Sequence, residues 1–248
     1  MIFRYAEFRR FIHHIKGLAR VLPLCEWDGD NAFILRHDVD FDVDSAHRLA
    51  HIEDECGVRS TFFIQTTAHT YNPFSPVHRP KIREMAAMGF EIGIHFDPAV
   101  YGDVEQSQLA RYLDREASLL ATVTGVPVKS VSLHNPSVNG WFPLFEGYHN
   151  AYSKGIFSDA CYISDSCMQF RGKDPYAFVE NVRRHPVQIL LHPFHFSEDG
   201  SEYPDLFYEY IRGHACAVDS LFRINKTYNR QLSSTDLFSY FNEKAKRT

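Results

Sequence analysis

The segment FILRHDVD, at residues 33–40, gives the strongest indication of the fold class of this chain. An apolar run, Phe33-Ile34-Leu35, stops abruptly at a group of charged residues, and residues 44–56 then show the pattern of a helix that Gly57 closes. A strand, a polar tip and a helix in this order are typical of one repeat of a parallel α/β fold.

The same alternation continues along the chain. Five more apolar or β-branched runs are predicted to be strands, at residues 60–65, 90–94, 129–133, 160–163 and 187–191, and a seventh strand is expected near 154–157. Helices are expected between them, the longest at about 104–124. Short apolar strands that alternate with helices predict a parallel sheet covered on both faces.

The domain organisation is predicted from the absence of any linker, repeat or composition shift across the 248 residues. A single domain is expected over 1–248, with a core at 31–200. An amphipathic helix at 3–20 forms an N-terminal extension (1–30), and the aromatic tail (201–248) is expected to form two C-terminal helices.

Charge and patterning exclude several classes of protein. With 26 Lys and Arg against 31 Asp and Glu, the net charge of −5 gives no basic surplus, so no nucleic-acid partner is expected. No run of 18 apolar residues predicts a membrane span. The first 20 residues lack the apolar core of a signal peptide and the five cysteines form no CxxC pair, so a cytoplasmic location with free thiols is expected.

Histidine and aspartate recur where the predicted strands end. These endings read HDVD at 37–40, HFD at 95–97, HNPS at 134–137, SDS at 164–166 and HPFH at 192–195. Because the carboxyl ends of parallel strands meet on one face, His37, His95, His134, His192 and His195 are expected there with Asp38, Asp40 and Asp165. Carboxylates and imidazoles around one pocket suit a divalent ion such as zinc.

Each of these residues also has a purely structural interpretation. Asp38 and Asp40 could cap the helix that follows, Asp165 could be an ordinary turn acid, and His192 could be a turn residue before Pro193. A helix cap needs only one acid, so the presence of two before one helix favours a functional role for Asp38 and Asp40.

Another histidine pair has a spacing compatible with zinc. His47 and His51 stand four residues apart on the first predicted helix after residue 40. The glutamate of an HExxH motif is missing, and no third ligand is evident nearby in the sequence. A solvated helix face is therefore the interpretation that the sequence favours for this pair.

The motifs of this chain lie between about residue 33 and 196 and read LRHDVD, STFFI, GFEIGIH, SVSLHNPS, ISDS and ILLHP. Their order resembles that of the polysaccharide deacetylase superfamily, carbohydrate esterase family 4. It is most similar to the branch with an HDVD motif, a branch often associated with surface-polysaccharide biosynthesis. The resemblance implies a distorted (β/α) barrel with about seven parallel strands, flanked here by N-terminal and C-terminal helices.

The resemblance also implies roles for individual residues. Asp38 matches the catalytic base, His192 the general acid for the leaving amine, and Asp165 the acid that orients this histidine. His95 matches the first histidine of the metal-binding motif.

Two departures from the family pattern concern the metal. Val39 separates the two aspartates, so the metal role of the second acid can pass only to Asp40, and Ala99 stands where the second metal histidine is expected. A catalytic zinc ion takes three protein ligands. The third is expected to be His134, which comes from a separate strand end, with Asp97 and His69 as alternatives and metal-free operation left open.

The expected function is that of a metal-dependent hydrolase, a deacetylase that removes an acyl group from an amino sugar or glycoconjugate. N-acetyl is the main candidate for this acyl group. Zinc is the expected cofactor, and Asn135, Trp141 and Tyr162 are candidate contacts to a small-molecule or glycan substrate, the aromatic residues by stacking on a sugar ring unless they belong to the core. A cytoplasmic location favours a nucleotide-linked or lipid-linked sugar over an assembled wall polymer. The alternatives are an amidohydrolase acting on a non-sugar C–N bond and a non-catalytic glycan-binding member of the fold.

Overall fold

The computed structural model describes residues 2–233 and 235–246. These residues fall into two compact units that meet in sequence between Glu198 and Asp199. The predicted single domain stays a prediction, and both ends of its range, 1 and 247–248, lie outside the described residues.

The first unit alternates strands and helices. Its strands are β1 (Val21–Leu22), β2 (Phe33–Val39), β3 (Thr61–Ile64), β4 (Glu91–Phe96), β5 (Ser130–Leu133), β6 (His149–Asn150), β7 (Tyr162–Ser164) and β8 (Val187–Leu191). Its helices are α1 (Tyr5–Leu18), α2 (Val43–Glu55), α3 (His78–Ala87), α4 (Gln106–Thr124), α5 (Pro136–Asn139) and α6 (Pro175–Val179).

The strands form one parallel sheet. Its order is β6-β5-β4-β3-β2-β8-β7, with the short β1 paired to β2 beside this path. The seven strands of the path curl into a half-barrel with helices around it, which confirms the predicted distorted (β/α) barrel. Strand β2 lies inside the sheet, between β3 and β8, so the residues at its carboxyl end have neighbours on both sides.

The seventh strand was predicted at the wrong place. It lies at His149–Asn150, and the chain near 154–157 forms turns instead. The Gln188 side-chain amide reaches this segment from β8, donating to the carbonyl oxygens of Ala151 at 2.9 Å and Ile156 at 3.2 Å. A side chain of β8 thus contacts the backbone of this segment.

Alternation along β2 separates a helix-facing side from an inner side. Leu35 and Val39 belong to the large apolar cluster that includes residues of α1 and α2, whereas Ile34 packs with Phe63 in a second, smaller cluster. Because side chains alternate along a strand, Asp38 shares the inner side with Ile34. The prediction that His37 joins the site is wrong: this histidine lies on the helix-facing side, with its Nε2 2.5 Å from Glu53 Oε1 of α2.

Gly93 of β4 is required by close packing inside the sheet. A Cβ atom at this position would lie 2.5 Å from the Phe63 ring and 3.1 Å from the Ser130 carbonyl oxygen. The aromatic ring therefore occupies the space that any other side chain would need.

Helix α1 confirms the predicted amphipathic N-terminal helix. Phe8, Phe11, Ile12 and Ile15 form its buried face, in the same apolar cluster as residues of the sheet.

The described residues of the second unit form three helices where two were predicted: α7 (Tyr203–Phe222), α8 (Lys226–Leu232) and α9 (Leu237–Ala245). Arg223 follows α7 and donates to Asp219 Oδ2 at 2.9 Å and to the Thr235 carbonyl oxygen at 2.7 Å. None of the described helices combines the length and the apolar composition needed to cross a bilayer.

Candidate metal centre and active site

A cavity of about 590 Å³ opens where the strands of the first unit end. Most of the histidines and aspartates predicted from the strand endings line it: Asp38, Asp40, His95, His134 and His192. The parallel sheet thus brings together residues that are up to 154 positions apart in sequence, between Asp38 and His192.

Three of these side chains meet at one point. Asp40 directly follows β2, His95 lies within β4, and His134 directly follows β5, where its backbone N–H donates to the Phe96 carbonyl oxygen at 2.8 Å. Asp40 Oδ1 is 3.0 Å from His95 Nε2 and 3.5 Å from His134 Nδ1, and the two imidazole nitrogens are 3.2 Å apart. We call these three residues the Asp40 cluster.

The Asp40 cluster fits a divalent metal ion. Tetrahedral zinc with bonds of about 2.0–2.1 Å separates its ligand atoms by about 3.3 Å, close to all three distances. The distance between the two nitrogens also suits a single hydrogen bond, but Asp40 Oδ1 is buried and has no aligned hydrogen-bond donor within the described chain. A buried carboxylate oxygen that faces two imidazole nitrogens is the arrangement expected of a metal-binding group.

The ionisation of the cluster follows from its mutual contacts. Burial by itself would raise the pKa of Asp40, but His134 and His95 beside it hold this pKa well below its usual value. Burial would likewise lower the pKa of His134, and Asp40 outweighs it, so that the pKa is raised. Asp40 is therefore anionic at neutral pH.

The Asn135 amide lies 2.9 Å from the remaining ring nitrogen of His134, Nε2. Oxygen and nitrogen of an asparagine amide exchange places by a half rotation. With the amide oxygen accepting from Nε2–H, the tautomer of His134 leaves a lone pair on Nδ1, the atom that faces Asp40. Asn135 is thus suited to orient a metal-binding histidine.

Asp38 is buried beside the Asp40 cluster. Its Oδ2 accepts a hydrogen bond from Ser132 Oγ at 3.0 Å and lies 3.5 Å from Arg36 Nη2 and 3.9 Å from His95 Nδ1. Its Oδ1 has no hydrogen-bond partner in the described part of the chain. One carboxylate oxygen is therefore anchored, and the other is buried without a hydrogen-bond partner among the described residues.

Arg36 is a functional candidate that the sequence interpretation missed. It is fully buried, donates from Nη1 to Ser132 Oγ at 3.0 Å and from Nη2 to the Tyr152 hydroxyl at 3.1 Å, and its guanidinium lies 4.9 Å from the centre of the Tyr152 ring. Burial acts to lower the pKa of Arg36, but Asp38 raises it. The signal in the sequence was the spacing of two between Arg36 and Asp38, which puts both on one side of β2.

Asp165, which is buried directly after β7, pairs with the partly buried His192, which directly follows β8. Asp165 Oδ1 lies 2.6 Å from His192 Nδ1, and Asp165 Oδ2 lies 2.9 Å from Nδ1 of His195. Burial opposes the charge on His192, but the charge and hydrogen bond of Asp165 raise its pKa to about 9. The pKa of Asp165 is lowered despite burial, because His192 and His195 surround the carboxylate.

The remaining predicted residues lie at different places. Tyr162 and Asn135 line the cavity, whereas Trp141 is 43% exposed and is not among the described residues that line it. Of the two alternative metal ligands, Asp97 accepts a hydrogen bond from the Ala99 backbone at 3.0 Å, and His69 is exposed. Neither belongs to the described lining of the cavity.

No protein-family model and no curated protein matches the chain. Among solved structures it is similar to a chitin deacetylase from Colletotrichum lindemuthianum (TM-score 0.47, 15% identity, covering 78% of this chain and 85% of that one). It is also similar to a mutant, with restored enzymatic activity, of a CE4 family pseudoenzyme from Bacillus anthracis (TM-score 0.45, 14% identity, covering 75% of this chain and 64% of that one). A third is a family 4 acetyl xylan esterase from Clostridium thermocellum in complex with a cobalt ion (TM-score 0.43, 17% identity, covering 77% of this chain and 90% of that one).

The chain thus spans less than two thirds of the length of the pseudoenzyme mutant. The pseudoenzyme and the esterase belong to carbohydrate esterase family 4, the family that the sequence motifs resemble. The assignment to the HDVD branch stays a prediction. Identities of 14–17% do not transfer the role of a residue, so each role has to be argued from the geometry of this chain.

Proposed function

We propose that the chain is a member of the polysaccharide deacetylase superfamily, a metal-dependent hydrolase that removes an acyl group, N-acetyl in the first place, from an amino sugar or glycoconjugate. One observation carries the proposal. Within one cavity, a buried carboxylate and a histidine both approach the Asp40 cluster: Asp38 Oδ2 lies 3.9 Å from His95 Nδ1, and His192 Nε2 lies 3.7 Å from Asp40 Oδ2.

Asp40, His95 and His134 would hold the metal, for which zinc is the proposed ion on the basis of its ligand types. When bound there, such an ion supplies a Lewis acid that polarises the acyl carbonyl group and lowers the pKa of water.

Asp38 is the proposed general base. Arg36 and Ser132 hold its Oδ2, so the orientation of the carboxylate is set. Its Oδ1, which is buried and has no hydrogen-bond partner among the described residues, is the proposed acceptor of a proton from the attacking water. The proton moves to Asp38 as the water oxygen forms its bond to the acyl carbon.

His192 is the proposed general acid. Asp165 holds its Nδ1, so the proton that can be delivered is on Nε2, and a pKa of about 9 keeps the ring protonated at neutral pH. His192 gives this proton to the amine nitrogen as the C–N bond breaks, which leaves acetate and a free amine. The roles of the two residues are therefore complementary, one accepting and one donating.

The cavity suits a sugar-sized substrate. Its volume of about 590 Å³ lies within the range of about 300–1,000 Å³ that is common for small-molecule sites. Tyr162 and Asn135 are proposed to contact the substrate inside the cavity. Trp141 is proposed to contact only a part of the substrate that extends beyond the cavity. Nucleotide-linked N-acetylated sugars and free N-acetylated oligosaccharides are the first substrates to be tested.

The test is release of acetate by the purified protein loaded with zinc or cobalt, with the new amine measured in parallel. We expect Asp38→Asn and His192→Phe each to lower kcat by about 10²–10⁴-fold. Asp159→Asn is a matched control, because this acid lines the same cavity but lies outside the proposed machinery. Undiminished acetate release by Asp38→Asn would overturn the assignment of the base.

Two other outcomes would replace the proposal. Hydrolysis of a non-sugar amide without release of acetate from any acetylated sugar would identify an amidohydrolase with a different substrate. Glycan binding without turnover, in protein shown to contain metal, would identify a non-catalytic member of the fold.

A further inference from the structure

Helices α2 and α3 bring together three side chains of types that can bind a metal, away from the catalytic cavity. His47 and His51 lie one turn apart on α2, and Glu84 belongs to α3. We propose that His47, His51 and Glu84 bind a second divalent metal ion, zinc by ligand type, which links the two helices.

The distances place one carboxylate between two imidazoles. His47 Nε2 lies 2.9 Å from Glu84 Oε2, and His51 Nε2 lies 3.4 Å from Glu84 Oε1. One ligand atom from each residue can be chosen so that all three lie within 4.8 Å of one another. The spacing of the two histidines alone predicts a solvated face; the third ligand comes from another helix, which the sequence does not reveal.

The chemistry of the three ligands matches zinc. Two neutral imidazoles and one carboxylate are a common donor set for this ion, and a fourth position stays available to water. The side chains of His47, His51 and Glu84 are 21%, 43% and 51% exposed, so an ion can enter from solvent.

The charges around this site do not compete for the carboxylate. Lys81 pairs with Asp44, and Arg48 pairs with Glu198. Within residues 2–233 and 235–246, Glu84 forms no ion pair with a lysine or arginine. Its described ion-pair partners are the two histidines, which are the groups that would share the metal with it.

The consequence of binding is structural. Helix α2 begins at Val43, three residues after Asp40, and a metal link to α3 would stabilise the helix that follows this proposed catalytic-site ligand. None of the three ligands belongs to the described lining of the catalytic cavity. Metal at this second site is therefore expected to raise thermal stability and to leave the chemical step unchanged.

The test is zinc stoichiometry. The full-length protein is stripped with chelator, incubated with ZnCl₂, passed through gel filtration and analysed for metal. We expect His47→Gln/His51→Gln to lose one equivalent of zinc relative to wild type, and Glu84→Gln to bind this equivalent more weakly. His185→Gln is a matched control, because His185 is an exposed histidine outside both proposed sites.

A variant that lacks a ligand of the Asp40 cluster distinguishes the two proposed metal sites. His95→Gln removes a ligand of the Asp40 cluster, and zinc should still raise the Tm of this variant but not that of the triple variant His47→Gln/His51→Gln/His95→Gln. If the Asp40 cluster does not bind metal, wild type retains one equivalent, which His47→Gln/His51→Gln loses and His95→Gln keeps. The same stoichiometry in wild type and His47→Gln/His51→Gln would overturn the second site.

Discussion

The Asp165 carboxylate contacts both the imidazole ring and the backbone N–H of His192. Asp165 Oδ1 lies 2.6 Å from His192 Nδ1, and the His192 backbone N–H donates to both carboxylate oxygens at 3.1 Å. The ring is thereby oriented with Nε2 3.7 Å from Asp40 Oδ2. A carboxylate from the end of β7 thus determines which nitrogen of a residue at the end of β8 faces the Asp40 cluster.

The first prediction concerns this contact. We expect Asp165→Asn to lower kcat for acetate release by about 10²–10⁴-fold, because an amide cannot stabilise the charged ring that donates the proton. The KM should change little, since Asp165 does not contact the cavity. Steady-state kinetics on the metal-loaded protein measures both constants, and a variant with wild-type kcat would show that His192 needs no anionic partner.

The second prediction concerns stability as a function of pH in the metal-free protein. The pKa of His192 is about 9 in the folded chain and 6.5 as its ordinary value, so the folded state holds this proton more tightly than the unfolded state. The resulting stabilisation is complete below pH about 6.5 and disappears as the pH rises through about 9.

Urea unfolding of chelator-treated wild type and His192→Gln measures this effect. The difference in the free energy of unfolding between the two proteins should be largest at pH 6 and should shrink toward pH 10. A difference that stays constant with pH would contradict the raised pKa.

The third prediction concerns the third metal ligand. We expect His134→Ala to weaken zinc binding at the Asp40 cluster by at least about 100-fold, and Asn135→Ala, which removes the orienting amide, by about 10–100-fold. His69→Ala and Asp97→Asn should leave the affinity unchanged. Competition with a chromophoric chelator, in the His47→Gln/His51→Gln background, measures each affinity without the second site.

The fourth prediction concerns Arg36. Removing one partner of a buried ion pair leaves an uncompensated charge, so Arg36→Met should destabilise the fold by about 3–5 kcal/mol. In Arg36→Met/Asp38→Asn the charge is also gone, and the loss should be smaller than the sum of the two single variants. Denaturant unfolding of the four proteins gives the coupling free energy, and strict additivity would show that the two side chains do not interact.

The fifth prediction concerns Gly93. An alanine Cβ would lie 2.5 Å from the Phe63 ring, so Gly93→Ala should destabilise the protein by about 1–3 kcal/mol through displacement of the ring. Gly93→Ala/Phe63→Leu should recover part of the loss, because leucine vacates some of this space. Thermal unfolding of both variants provides the measurement.

Periodicity along the chain was sufficient for much of the fold. The apolar runs predicted six of the strands and the parallel α/β class, and the seventh was misplaced because β6 has only two residues, His149 and Asn150. A strand this short leaves almost no periodic pattern, and its neighbouring segment is held by the distant Gln188 side chain.

Alternation and helix periodicity are local properties of the chain, so the sequence was sufficient to predict which residues stand at the strand ends. It therefore predicted Asp38, Asp40, His95, His134 and His192 for one face of the sheet, and the structure places all five around one cavity. The proposed roles of these residues still await the experiments above.

Which side chains approach one another depends on how the chain folds and could not be predicted from the sequence. Asp40 lies 3.0 Å from His95 of β4, and Glu84 lies between His47 and His51 of another helix. The burial of Arg36 against Asp38 depends on the residues packed around them. Strand register and helix packing set these distances through contacts between residues far apart in the chain, and a periodic pattern carries no information about them.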